Sequence, residues 1–309
     1  MMGAIFALAI GFLPASGIAR ELDADGGREA ELERRLAGPD GAVMVVAHRT
    51  CWREASENSL DAIEACIAAG IDMVEIDVRA TRDGQLVLMH DATVDRMTDG
   101  TGRVEDMDWA DLAKLRLREG QGRGSALTDR RIPRFEDALR VAKGRILINV
   151  DAKIAVTEEV LGLIDRAGDR DQVLFKAEAP LEDIRRLAPW VSQVRFQPIL
   201  REPTLAGDAA GIVATYDPIH PVSYEIDVKG RAFTPTLTPI IQARCARYWV
   251  NSLAGRAYDD EDAQADPDGV WGELIAHGVD AIQTDYPIQL KSYLAHTGAT
   301  SFRCTPAAP

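Results

Sequence analysis

The chain has 309 residues, of which 46% are hydrophobic and 27% are charged. This composition is ordinary for a soluble globular protein and excludes a collagen-like, coiled-coil or wholly disordered chain. Asp and Glu number 49 against 35 Lys and Arg, which gives a formal net charge of −14. So acidic a chain repels nucleic acid and anionic membrane surfaces. We therefore predict no nucleic-acid partner, and we expect an anionic substrate to need a locally positive or metal-containing site.

The N-terminal segment has the pattern of a secretory signal peptide. Residues 1–19 carry no charged side chain, and an apolar run at residues 4–13 is followed by small residues. That run is too short to cross a bilayer, so we predict no stable membrane insertion. The prediction is an exported protein, periplasmic or extracellular; the alternative is a cytoplasmic one. Residues 20–42 form a charged N-terminal extension, with a short surface helix expected at residues 28–36.

Short β-branched runs alternate with helical segments between residues 43 and 295. Strands are predicted at residues 43–47, 73–78, 86–89, 146–152, 173–176, 194–197, 222–228, 248–251 and 281–285. Helices are predicted at residues 59–69, 109–115, 135–142, 156–166, 181–187, 239–247 and 272–276. This alternation is typical of a parallel sheet covered by helices.

The connection between the second and third predicted strands is too short for a crossover helix. It contains the turn dipeptide Asp83-Gly84 and therefore predicts a hairpin. Without the second arm of this hairpin eight strands remain, the number in a (β/α)₈ barrel. We predict one α/β domain, a TIM-like barrel over residues 43–295. A long excursion at residues 96–131 follows the hairpin, and residues 296–309 form a C-terminal tail.

Three carboxylates are predicted to face the inside of this barrel. Side chains alternate along a strand, which puts Glu75 and Asp77 on one face of the second strand and Asp151 with Lys153 on one face of the next barrel strand. Burying unpaired carboxylates is costly, and a divalent cation between them removes that cost. Oxygen ligands favour one Mg²⁺ or Ca²⁺ ion. The alternative is a set of structural carboxylates paired with Arg49 and Lys153.

Two histidines stand at strand ends near the same rim. His48 ends the first predicted strand, and His90 ends the hairpin arm. Kept off a metal, two histidines can act as general base and general acid near neutral pH, although a lone histidine is more often structural. Trp249 is a candidate apolar wall of the site, with the core as its alternative. Glu225 and Asp227 also share a strand face, and their role stays open between substrate contact and structure.

Four cysteines are spread along the chain without the spacing of a zinc finger. They are Cys51, Cys66, Cys245 and Cys304. In an oxidising compartment one or two disulfides can form, with three complete connectivities. Free thiols are the alternative.

Several motifs together resemble the glycerophosphodiester phosphodiesterase family. They are Ala47-His48-Arg49, Glu57-Asn58-Ser59, Glu75-Ile76-Asp77-Val78, Thr81-Arg82-Asp83-Gly84, Met89-His90-Asp91, Asp151-Ala152-Lys153, Trp249-Val250-Asn251 and Gln283-Thr284-Asp285. The resemblance implies a TIM-like barrel, a divalent cation and a small-molecule phosphodiester substrate. The expected reaction is hydrolysis of glycerophosphodiesters to glycerol 3-phosphate and an alcohol.

The same resemblance implies roles for individual residues. His48 and His90 would be the acid–base pair, and Glu75, Asp77 and Asp151 the metal ligands. The phosphate would be contacted by Arg49 and Lys153.

The sequence also departs from the family's usual pattern at four places. Thr50 replaces a glycine, Ser56 replaces a proline, and Asp151 replaces a longer Glu. A Ser-Phe pair usual at the fifth strand is not evident around Phe175-Lys176. These changes leave two alternatives: a phospholipase D-like hydrolase of a lysophospholipid or sphingolipid, and a non-catalytic barrel that binds phosphodiesters.

Overall fold

The structure is a computed structural model that describes residues 16–304. The predicted signal peptide lies outside these residues except for its last four positions, and so do residues 305–309 of the predicted tail.

Eight parallel strands close into a barrel, as the sequence predicts. In barrel order they are β1 (Met44–Ala47), β11 (Ala281–Thr284), β10 (Arg247–Ser252), β9 (Ser223–Asp227), β8 (Arg195–Arg201), β7 (Val173–Ala177), β6 (Leu147–Ala152) and β2 (Met73–Ala80), and β2 pairs with β1 to close the ring. The β2–β6 register aligns Glu75 with Asn149 and Asp77 with Asp151. Two of the predicted metal ligands are therefore cross-strand neighbours.

The predicted hairpin and excursion are also present. Strand β3 (Leu86–Leu88) pairs antiparallel with β2. The excursion contains a small antiparallel sheet that the sequence did not predict, formed by β4 (Arg116–Arg118) and β5 (Leu127–Arg131). Its apolar side chains pack in a cluster of their own that includes Val87, Met97 and Leu112. The excursion is therefore a packed part of the domain.

Helices surround the barrel. They are α1 (Ser16–Ala37), α2 (Leu60–Ala68), α3 (Trp109–Leu112), α4 (Phe135–Ala142), α5 (Glu158–Ala167), α6 (Leu181–Leu187), α7 (Glu202–Leu205), α8 (Ala209–Ala214), α9 (Thr234–Gln242), α10 (Glu273–Ala276) and α11 (Pro287–Thr297). The helix expected at residues 239–247 is misplaced: α9 starts five residues earlier and ends before Cys245, whose φ of 53° is not helical. The sequence reading missed α7, α8 and α11.

The helix expected in the N-terminal extension is present, but it closes the barrel floor, so its expected location on the surface is wrong. Leu32 and Leu36, one helical turn apart on α1, are buried against the first residues of the barrel strands, among them Met73 and Leu174. Arg35 donates hydrogen bonds to Asp72 and to the carbonyl of Val43. The two leucines supply the apolar bottom layer that eight strands alone leave open.

Two disulfides are present, so the free-thiol alternative is wrong. Cys51 is bonded to Cys66, which ties the loop after β1 to α2. Cys245 is bonded to Cys304, which ties the loop before β10 to the C-terminal segment. Within residues 16–304 no helix is both long enough and apolar enough to cross a membrane.

Candidate active site

A cavity of about 700 Å³ opens at the carboxyl ends of the barrel strands, the end at which barrel enzymes place their active sites. It is lined by six of the predicted site residues, namely His48, Arg49, Glu75, Asp77, His90 and Asp151. Lys176, Arg201, Glu225, Asp227 and Arg256 also line it. The structure therefore brings most of the predicted site together and adds charged residues from β7 to β10.

The three predicted metal ligands form one compact cluster. One oxygen each of Glu75, Asp77 and Asp151 lies within 4.8 Å of the others. Glu75 and Asp77 are buried, at 2% and 1% exposure. Burial and the neighbouring Glu75 charge raise the pKa of Asp77. The cluster concentrates negative charge where water cannot screen it.

Two lysines partly balance this charge. Lys153 Nζ lies 2.6 Å from Asp151 Oδ2 and 3.2 Å from Asp77 Oδ1. It therefore contacts the carboxylates and is not one of the cavity-lining residues. Burial raises the pKa of Asp151, but the nearby charge of Lys176 and the bond from Lys153 outweigh burial and lower that pKa overall.

The cluster fits a hard divalent cation. It offers three carboxylate oxygens without sulfur or imidazole, which is the donor set of Mg²⁺ and Ca²⁺ and not of zinc. The shorter Asp151 still reaches the cluster because it lies directly across from Asp77 on the adjacent strand. Asn58 donates from Nδ2 to Asp77 Oδ2 at 2.8 Å and accepts from the Asp77 backbone N–H, which fixes the orientation of this carboxylate.

His48 is oriented by an aspartate. Its Nδ1 lies 2.8 Å from Asp285 Oδ1, which also accepts a bond from Trp52 Nε1 at 2.7 Å. Burial lowers the pKa of His48, but the hydrogen bond with Asp285 and the Glu75 charge outweigh burial and raise it overall. Because Nδ1 is engaged, Nε2 is the ring atom left to exchange protons in the cavity.

His90 has an equivalent arrangement. Its Nδ1 lies 2.7 Å from Asp91 Oδ1, and Arg96 in the excursion donates to both oxygens of Asp91. The bond from Arg96 holds the pKa of Asp91 well below its usual range, so this carboxylate stays ionised. Arg96 also binds Glu57, which follows β1 in sequence. The packed excursion thereby fixes the partner of a predicted acid–base histidine.

The loop after β1 bends in a conformation that suits glycine. Arg49 and Thr50 have φ angles of 51° and 73°, and the second value is a clear outlier for a β-branched residue. The backbone N–H of Arg49 donates to Glu75 Oε2 at 3.0 Å, so this bend also holds a predicted metal ligand. The glycine expected at position 50 would adopt the bend without strain; Thr50 adopts it at a cost of about 1–3 kcal/mol.

Trp249 is not brought to the cavity. It is fully buried in the apolar bottom layer, and its Nε1 donates to Asn251 Oδ1 at 2.8 Å. Asn251 in turn donates to Glu225 Oε1 at 2.7 Å. The Trp249 side chain supports a hydrogen-bond chain that leads from the floor to the cavity-lining Asn251 and Glu225, and it forms no part of the cavity wall itself.

The sequence reading missed the partners that orient the site. Asp285 and Asp91 were part of the motifs and Arg96 began the predicted excursion, but none of them had an assigned role, because a motif does not show which side chains contact one another. Lys176 had no signal apart from being a charged residue on the inward face of a strand.

Known proteins with sequences similar to this chain include members of one enzyme family. Residues 48–179 match the Glycerophosphoryl diester phosphodiesterase family, and residues 199–294 match a domain of unknown function. The glycerophosphodiester phosphodiesterase of Caldanaerobacter subterraneus is 29% identical over 47% of this chain and 63% of its own length. A putative glycerophosphodiester phosphodiesterase of Bacillus subtilis is 28% identical over 79% of this chain and 95% of its own length. The first alignment thus spans less than two thirds of that relative, and the second spans nearly all of it.

A solved structure has the same fold. A phosphodiesterase of Oleispira antarctica, in complex with the product sn-glycerol-3-phosphate, superposes with a TM-score of 0.62 at 20% identity, covering 82% of this chain and 96% of that one.

The His48–Asp285 pair predicts a change in histidine titration. In metal-free protein His48 should titrate above the ordinary value of 6.5, and Asp285→Asn should lower its pKa because the carboxylate charge is lost. The measurement is a pH series of imidazole NMR spectra. Asp165→Asn, on the exposed face of α5, should leave the His48 curve unchanged. An unchanged curve in Asp285→Asn would show that the pair does not set this pKa.

Proposed function

We propose, from its similarity to the glycerophosphodiester phosphodiesterase family, that this chain hydrolyses glycerophosphodiesters to glycerol 3-phosphate and an alcohol, with one divalent cation and two histidines. The observation that carries the proposal is the geometry of one cavity. Two aspartate-oriented histidines and a cluster of three carboxylates line it together.

The cation is assigned to Glu75, Asp77 and Asp151. When bound, Mg²⁺ or Ca²⁺ supplies Lewis acidity toward a phosphate oxygen. The protein's own contribution is to hold two of these carboxylates in place, Asp77 through Asn58 and Glu75 through the backbone N–H of Arg49. Arg49 and Lys153 add fixed positive charge that favours an anionic diester.

The two histidines perform the proton transfers. One accepts the proton of the attacking hydroxyl through Nε2, and the other donates a proton to the leaving alkoxide oxygen. Asp285 and Asp91 hold each ring by Nδ1, so both Nε2 atoms keep their direction during the reaction. Positioned acid–base groups each contribute about 10²–10⁴-fold to rate.

A small water-soluble diester suits the cavity better than a lipid. A lysophospholipid substrate needs an apolar surface for its acyl chain. Two tryptophans are poor candidates for such an apolar surface. Trp52 and Trp109 are partly buried, and Trp52 donates a hydrogen bond to Asp285. Among the described residues, Leu187 is the large hydrophobic residue that is exposed. It is the last residue of α6 and does not line the cavity.

Export to the periplasm or the extracellular space is part of the same proposal. Two disulfides support it, since structural disulfides persist mainly in oxidising compartments. The signal-peptide pattern of residues 1–19 points the same way.

The reaction is tested with the purified mature protein and either glycerophosphocholine or glycerophosphoethanolamine. We expect release of glycerol 3-phosphate with Mg²⁺ or Ca²⁺ and none with EDTA, because the carboxylate cluster needs its cation. The released glycerol 3-phosphate is quantified by an enzymatic assay. No release with any metal from folded protein would contradict the proposal, and lysophospholipid hydrolysis or ligand binding without turnover would identify the alternatives.

The histidines are tested one at a time. His48→Ala and His90→Ala should each lower kcat by about 100-fold or more, because each removes one proton-transfer group. Circular dichroism confirms that the fold is kept. His296→Ala, at an exposed position on α11, is the matched control and should retain full activity. Near-normal turnover in either site variant would remove that histidine from the mechanism.

A further inference from the structure

Lys176 is a buried cation to which the proposed mechanism gives no role. It lies on β7 and lines the cavity, yet its side chain is only 5% exposed. Its inward neighbour on the strand, Leu174, belongs to the apolar bottom layer. Burying an ammonium group is unfavourable unless charged partners surround it, so a lysine here requires an explanation that packing does not give.

The contacts of Lys176 are ionic and long. Nζ lies 3.5 Å from Glu75 Oε1 and 3.7 Å from Glu225 Oε2. Both distances exceed the range of about 2.7–3.2 Å for a normal N–H···O hydrogen bond. Charge therefore holds the ammonium group, while its N–H donors stay available to a ligand oxygen in the cavity.

Glu225 is held rigidly. Its Oε1 accepts from Asn251 Nδ2 at 2.7 Å, and Asn251 is itself fixed by Trp249. Its Oε2 accepts from Gln197 Nε2 at 3.4 Å. A carboxylate fixed by neighbouring amides on both sides keeps its charge in one place. It can therefore retain Lys176 even when Glu75 is engaged by a cation.

We propose that Lys176 is a phosphate-binding residue of this site and that Glu225 is the positioning residue that keeps its ammonium group in the cavity. The inference rests on the proposed function, since it takes the ligand to be a phosphodiester or its phosphomonoester product. Barrel order places β7 three strands from β1, so Lys176 reaches the phosphate from a different direction than Arg49. The role left open for Glu225 by the sequence is thereby assigned.

Binding of sn-glycerol 3-phosphate, measured by calorimetry with saturating Mg²⁺, tests the contact without turnover. Lys176→Met should weaken binding about 10- to 100-fold, as expected for losing a charged hydrogen bond. Lys176→Arg should retain most of the binding. Lys229→Met is the matched control: this lysine is half-exposed on the rim, paired with Asp227, and outside the cavity lining. It should change binding less than about twofold.

Kinetics test the positioning role. Glu225→Gln should raise the KM for glycerophosphodiester about tenfold and change kcat much less, because the phosphate charge is bound alike before and during reaction. Lys176→Met removes the cation next to two buried carboxylates, Glu75 and Glu225, so the double variant Lys176→Met/Glu225→Gln is included. It should recover thermal stability and still bind product weakly.

Product binding unchanged in Lys176→Met, or weakened equally in Lys229→Met, would overturn the contact. An unchanged KM in Glu225→Gln would overturn the positioning role. Failure of the proposed function is a separate result: folded parent protein would release no glycerol 3-phosphate from any diester. Product binding that depends on Lys176 would support the contact even then.

Discussion

Like charges brought together inside the barrel are the constraint on which the site depends. Glu75, Asp77 and Asp151 lie within ion-binding distance of one another, and burial strengthens their repulsion. Positive charge has to come from lysines, from a bound cation, or from both. The lysines alone leave the cluster negative, because Lys153 and Lys176 face the three clustered carboxylates together with Glu225. In the proposed function a divalent cation completes the balance.

The rest of the molecule can be understood as support for that charged layer. Below it, Leu32 and Leu36 of α1 seal an apolar floor, so that water does not reach the carboxylates from the barrel's other end. Around it, the excursion after the hairpin delivers Arg96 to Asp91, and Asp260 accepts the backbone N–H of Asp285 at 2.8 Å. His48 thus depends on Asp285 and Asp260, which are distant in sequence, and His90 depends on Asp91 and on Arg96 of the excursion.

Part of the site could be predicted from local sequence patterns. Side-chain alternation within a strand placed Glu75 with Asp77, which needs no long-range information, whereas Asp151 joins them through the parallel register of β2 with β6. The position of α1 under the barrel was not predictable in this way. Two leucines in a charged segment fit a surface helix as well as a helix that closes the end of a barrel. Trp249 and Lys176 show the same limit. Only the assembled barrel shows that Trp249 lies in the floor and Lys176 in the cavity.

Calorimetric titration of Mg²⁺ and of Ca²⁺ into chelator-treated protein tests the charge balance most directly. We expect one ion to bind per chain, and we expect Asp77→Asn to weaken this binding strongly. The matched control Glu33→Gln, in the separate partly exposed carboxylate group formed with Glu29 and Asp169, should leave binding unchanged. The account is contradicted if the parent protein binds neither ion. It is also contradicted if Glu33→Gln abolishes binding while Asp77→Asn preserves it.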